Sequence, residues 1–118
     1  MAKLLVVDDD LDILELLTDY LANEGHQVVI ARTCAELNAV LAERTDFQGV
    51  VLDWCLPGCN GADLLGRIAA KIPSCPVLVT TGHSRETVPG QAPVFGVVRK
   101  PYSLRALALR IEAMTTTL

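Results

Sequence analysis

No stretch of this chain stays apolar for the roughly 20 residues that a membrane helix needs. Met1-Ala2-Lys3 leads into only four apolar positions, Leu4 to Val7, before a run of aspartates, too few for the core of a secretory leader. An excess of basic residues is also missing: 10 Lys and Arg stand against 14 Asp and Glu, a net charge of −4. Nucleic-acid surfaces neutralise phosphates with clustered cations, so direct nucleic-acid binding is not expected. Four cysteines, Cys34, Cys55, Cys59 and Cys75, lie scattered without CxxC spacing. They are expected to be reduced thiols of a cytoplasmic protein, neither zinc ligands nor a disulfide frame. No linker, internal repeat or low-complexity segment interrupts the chain. At 118 residues, 51% hydrophobic and 20% charged, it is expected to form one globular domain spanning 1–118.

What is present is a pair of short apolar runs that each end at aspartate. Leu4-Leu5-Val6-Val7 meets Asp8-Asp9-Asp10, and Val50-Val51-Leu52 meets Asp53. Each has the length and β-branched content of a strand buried on both faces. Parallel strands carry ligands at their carboxyl ends, so these carboxylates should share one crevice. Packed carboxylates raise one another's pKa values, and a hard divalent cation such as Mg²⁺ relieves that repulsion.

The rest of the chain alternates apolar runs with helical patterns, as βα units do. Leu14, Leu17 and Leu21 repeat at helical spacing, Asp10 is placed to cap that helix, and Gly25 is its expected stop. Gln27 to Ala31 reads as the second strand. Thr33-Cys34-Ala35-Glu36 is a capping box opening a helix to about Arg44. Gly49 to Asp53 is the third strand, Pro57 to Gly61 a loop, Ala62 to Lys71 a helix and Val77 to Thr80 the fourth strand. Between Gly82 and Pro93, the residues Pro89, Gly90 and Pro93 leave room for about one helical turn near Ser84. Val94 to Val98 is the fifth strand. Ser103 caps a last helix with Leu104, Leu107 and Ile111 on the sheet side, and Thr115 to Thr117 are expected to fray.

In a parallel sheet the carboxyl ends of strands one, three, four and five gather Asp8 with Asp9, Asp53, the Thr80-Thr81 pair, and Lys100 before Pro101. This set suits phosphoryl transfer. Asp8 and Asp9 can hold Mg²⁺, and Asp53 can attack phosphorus. A threonine hydroxyl and the Lys100 ammonium can each contact a phosphoryl oxygen.

With Val6-Val7-Asp8-Asp9, Leu52-Asp53, Pro57, Gly61, Thr81-Gly82 and Lys100-Pro101 in register, the chain resembles a receiver domain of a two-component response regulator over essentially its whole length. The resemblance implies a single doubly wound, flavodoxin-like α/β fold: a five-stranded parallel sheet in order 2-1-3-4-5, here with a short or irregular fourth helix. It implies that Asp53 accepts a phosphoryl group from a sensor histidine kinase or phosphotransfer protein. It further implies Mg²⁺ on Asp8, Asp9, Asp53 and the Cys55 backbone carbonyl. Thr81 rather than Thr80 is then the hydroxyl donor, and Thr81 and Lys100 close on the phosphoryl group to shift a two-state equilibrium. The Lys-Pro bond of such domains is usually cis. Homodimers through the helix 4/strand 5/helix 5 face would fit the family, and no chemistry is implied beyond the domain's own phosphorylation and dephosphorylation.

Other residues read more plainly. His83 and His26 are taken as surface residues of a loop and a turn, and Trp54 as packing at the site's edge. The family commonly places Tyr or Phe three residues before the lysine, where its rotation reports phosphorylation. Here that position is Val97, with Phe95 two residues earlier. Two other functions remain open at this level. Asp8-Asp9-Asp10 also satisfies the Asp-x-Asp of a haloacid dehalogenase-type phosphatase, with Asp8 as nucleophile, and a receiver-like module could bind partners without phosphorylation. The phosphatase reading leaves Pro57, Gly61 and Lys100-Pro101 unexplained.

Overall fold

A computed structural model describes residues 2–82 and 94–116. Its elements are β1 (Lys3–Val7), α1 (Leu11–Asn23), β2 (Gln27–Ala31), α2 (Cys34–Glu43), β3 (Gly49–Asp53), α3 (Gly61–Lys71), β4 (Val77–Thr81), β5 (Gly96–Arg99) and α4 (Leu104–Thr116). The five strands form one parallel sheet in the order β2-β1-β3-β4-β5. The expected fold and strand order are therefore present. The turn expected near Ser84, with Pro89, Gly90, Pro93 and His83, lies outside the described residues.

Side chains alternate across a strand, and β1 shows what that does here. Leu5 and Val7 pack with Leu37 and Leu41 of α2 and Ile68 of α3 on one face. Leu4 and Val6 pack with Leu17 of α1 and Ile111 of α4 on the other. Two apolar faces leave no solvent side for the central strands, which is why they read as unbroken apolar runs.

Helix starts follow local chemistry. Asp10 caps α1 by accepting the Asp12 and Ile13 N–H groups, and Asn60 caps α3 by accepting those of Ala62 and Asp63. Gly25, at φ 89°, ends the α1 turn in a conformation that side chains disfavour. The Thr33 hydroxyl accepts the Glu36 N–H as expected, but the Glu36 carboxylate bonds the Arg32 N–H, one residue before the cap. Ser103 accepts the Ala106 N–H at the start of α4.

Four expectations need correction. The fifth strand begins at Gly96, not Val94, because pairing with Leu78 starts there. Thr115 and Thr116 do not fray but continue α4, each hydroxyl bonding the Glu112 carbonyl. His26 is no surface residue: its side chain is only 6% exposed, Nδ1 accepts the Ala2 N–H and Nε2 donates to Glu112, so it ties the chain's start to α4. Cys34 and Cys59, expected as thiols, are joined in a disulfide, with Cα atoms 6.3 Å apart.

Trp54 packs over the start of α3, so tightly that a Cβ on Gly61 would stand 2.5 Å from its ring. Gly61→Ala is therefore expected to cost about 1–3 kcal/mol, the scale of overpacking a filled site, and to shift the emission of this sole tryptophan. Chemical denaturation followed by Trp54 fluorescence checks it; unchanged stability and emission would refute the contact.

Candidate functional site

The sheet order sets the site. β1 lies directly beside β3, with Val7 opposite Leu52, so Asp8 just beyond β1 and Asp53 at the end of β3 become neighbours. Asp8 is 3% exposed and Asp53 2%, whereas Asp9 is exposed. Oxygens of Asp8, Asp9 and Asp53 all lie within 4.8 Å of one another.

Backbone donors orient the two buried carboxylates. Asp8 Oδ1 accepts the Asp10 N–H at 3.0 Å, and Asp53 Oδ1 accepts the Cys55 N–H at 3.1 Å. Each Oδ2 then faces Lys100, whose Nζ stands 3.8 Å from Asp8 and 3.6 Å from Asp53. Lys100 is delivered by β5: its N–H bonds the Thr81 carbonyl, and the Lys100–Pro101 bond is cis.

Burial pushes the Asp8 carboxyl above its ordinary value; the Asp10 N–H opposes this and the Asp53 charge adds to it. Burial would lower the Lys100 ammonium, but the charges of Asp8 and Asp53 outweigh it and the net is upward. Both partners move up because desolvation, not their mutual attraction, dominates at Asp8. Folded Asp8 thus holds its proton more tightly than unfolded Asp8. Its ionisation costs stability as pH rises from the unfolded value of 3.8 through the higher folded one, and the cost persists above that. Asp8→Asn is accordingly expected to melt above wild type at about pH 7 in chelator, with the gap closing towards about pH 4. Melting curves across that range test it, and a variant less stable at neutral pH would contradict it.

The structure thus brings together Asp8, Asp9, Asp53 and Lys100. Thr80 and Thr81 are both buried at the end of β4. Thr80 is paired in register with Asp53, its carbonyl accepts the Trp54 N–H, and its hydroxyl has no hydrogen-bond partner among the described residues. Thr81 lies one residue further along, opposite Arg99. Asp10 turns away to cap α1 and leaves the cluster to Asp8 and Asp9. Sequence reasoning missed Tyr102, half-buried two residues beyond Lys100. Burial, then the Asp8 and Asp53 charges, push its hydroxyl up to about 12. A ring this close behind the lysine was the signal available for it.

Three carboxylates converging with one ammonium between them suit a hard, oxygen-preferring cation such as Mg²⁺. Asp8, Asp9 and Asp53 are the side chains that fit it; the Asp53–Cys55 turn also keeps the Cys55 backbone beside the cluster.

Residues 4–112 match the family model described as the response regulator receiver domain. Response regulator SaeR of Staphylococcus aureus is 31% identical over 119 residues, covering 98% of this chain and 51% of SaeR. Among solved structures, NtrX from Brucella abortus superposes at a TM-score of 0.87 with 31% identity, over 98% of this chain and 28% of NtrX. The non-phosphorylated HemR receiver domain from Leptospira biflexa superposes at 0.88 with 27% identity, over 100% of this chain and 97% of that one. The chain spans about half the length of the curated relatives it matches. Among the described residues, no helix is long and apolar enough to cross a membrane.

Proposed function

We propose that this chain, which belongs to the response regulator receiver domain family, accepts a phosphoryl group on Asp53 and acts as a phosphorylation-dependent switch. It is a signalling domain and not a metabolic enzyme. The observation that carries the proposal is the Asp53 carboxylate itself. It is buried, held at one oxygen by the Cys55 N–H and faced at the other by Lys100, with Asp8 and Asp9 alongside.

The donor is the phosphohistidine of a sensor histidine kinase or phosphotransfer protein. An Asp53 oxygen attacks phosphorus, the P–N bond breaks, and the imidazole leaves with a proton, giving an acyl phosphate. Mg²⁺ bound by Asp8, Asp9, Asp53 and the Cys55 carbonyl would offset charge on the phosphoryl oxygens. Lys100, already drawn to the Asp53 carboxylate, follows the charge onto the phosphoryl group, and the Thr81 hydroxyl donates to another of its oxygens. The same site hydrolyses the adduct, which resets the switch.

Residues 1–118 serve as one receiver unit in the cytoplasm, without direct contact to nucleic acid or membrane. A homodimer would use the side of the domain that carries β5 and α4. Val97 is half-buried against the α2/α3-side core, and Phe95 lies just outside β5 at 38% exposure. Readout on that face therefore relies on Lys100 and Thr81 more than on a turning ring.

Incubation with Mg²⁺ and acetyl phosphate, read by intact mass, tests the proposal. One phosphoryl adduct per chain, lost in chelator, is expected. No adduct with Mg²⁺ present would overturn it.

A further inference from the structure

We propose that Cys34 and Cys59 form a reversible disulfide that couples thiol redox state to the Asp53 site by fixing the loop between β3 and α3. The inference rests on the phosphoacceptor reading above for its functional half, and on the bridge alone for its chemical half.

The two sulfurs are 25 residues apart in sequence, Cys34 at the start of α2 and Cys59 in the loop before α3, yet the fold pairs them. Their Cα separation of 6.3 Å falls inside the roughly 4.4–6.8 Å that disulfides span. Cys34 follows β2 and Cys59 follows β3, and these strands flank β1, whose end carries Asp8 and Asp9. The bridge therefore ties the start of α2 to the loop that follows Asp53, across the end of β1.

Cys34 is the first residue of the 10-residue helix α2, behind the Thr33 cap. A helix N-terminus stabilises a thiolate, so Cys34 is the attacking sulfur. Both cysteines are half-buried, open to a small disulfide. The oxidant class is a low-molecular-weight disulfide. Cys34 loses its proton to solvent and attacks one sulfur, releasing the first thiolate and leaving a mixed disulfide. Deprotonated Cys59 then attacks the Cys34 sulfur and releases the second. Two protein thiols are oxidised and one small disulfide is reduced to two thiols. A reducing compartment reverses the exchange, as suits a sensing bridge and not a permanent staple.

The consequence falls on the short loop that Cys59 closes. That loop starts at Cys55, whose N–H already holds Asp53, and contains Gly58 at φ 75°, a hinge-compatible conformation. Tethering its far end removes loop conformations in which the Cys55 backbone has turned from the cluster. Cation binding then costs less ordering, so the oxidised form binds more tightly.

The test uses the purified chain treated with glutathione disulfide or with a phosphine reductant. Blocked with an alkylating agent and digested, the oxidised sample should yield a linked Cys34–Cys59 peptide, retained in Cys75→Ser and lost in both Cys34→Ser and Cys59→Ser. Reduction should lower the melting temperature by roughly 10 °C, the scale for closing a loop of this length in a domain of this size. Mg²⁺ titration followed by Trp54 fluorescence should give about fivefold tighter binding when oxidised, at the lower end of common site-to-site coupling. That difference should vanish in Cys34→Ser. Alkylation of all four cysteines after oxidant treatment would overturn the bridge, and identical Mg²⁺ curves in the two redox forms would overturn the coupling. If the bridge maps but neither form binds Mg²⁺ or takes phosphoryl from acetyl phosphate, the phosphoacceptor reading and its coupling fail while the bridge stands.

Discussion

Asp53→Asn is expected to take up no phosphoryl group from acetyl phosphate while folding as the wild type does. The amide oxygen can still accept the Cys55 N–H that Asp53 Oδ1 accepts at 3.1 Å, so the turn after β3 keeps its bond. The strand is held by pairing with β1 and β4, not by its final side chain. What vanishes is the nucleophile: an amide oxygen does not form an acyl phosphate here, so the loss is complete and not partial. Intact mass gives the readout, with circular dichroism and a melting curve to show that the fold survives. An adduct that persists in Asp53→Asn and disappears in Asp8→Asn would move the nucleophile to Asp8. Turnover of a generic phosphate ester that is retained in Asp53→Asn and abolished in Asp8→Asn would then favour the phosphatase reading of Asp8-Asp9-Asp10.

Lys100→Ala is expected to bind Mg²⁺ at least tenfold more tightly than the wild type, yet to be less stable without it. The ammonium lies within 4 Å of both buried carboxylates, in the space a cation on those oxygens would face. Positive centres about 5 Å apart repel by several kcal/mol at an effective dielectric of about 20. The Lys100 side chain is 30% exposed, so solvent screens part of that. About 1.4 kcal/mol surviving is enough for a factor of ten in Kd. Without the cation, the same deletion leaves Asp8 and Asp53 facing one another uncompensated, at a cost of roughly 1–2 kcal/mol. Trp54 fluorescence during Mg²⁺ titration, and melts in chelator, measure the two arms. Unchanged or weaker Mg²⁺ binding would mean that Lys100 does not face the cation site.

Features governed by neighbours in the chain were legible without a structure. The apolar runs from Leu4 and Val50 became β1 and β3 because a strand buried on both faces tolerates no polar interruption. The Leu14, Leu17 and Leu21 stripe, the Asp10 cap and the Gly25 stop are all decided within a few residues. Val94 and Phe95 look like strand by residue type, and only the pairing partner Leu78 shows that the ladder begins at Gly96. His26 offered no local sign of its partner Glu112, which lies 86 positions away.

Residue type and order are enough to show which residues could do chemistry: aspartates at strand ends, a threonine pair and a lysine before proline. The tertiary structure alone decided how they are arranged: that Asp10 leaves the cluster for a helix cap, that Lys100 stands between Asp8 and Asp53, and that Tyr102 borders them. It also decided that Cys34 meets Cys59, against the expectation from cysteine spacing. Strand order is the physical reason. Placing β1 between β2 and β3 folds distant loops onto one edge, and contacts across that edge depend on the path of the whole chain.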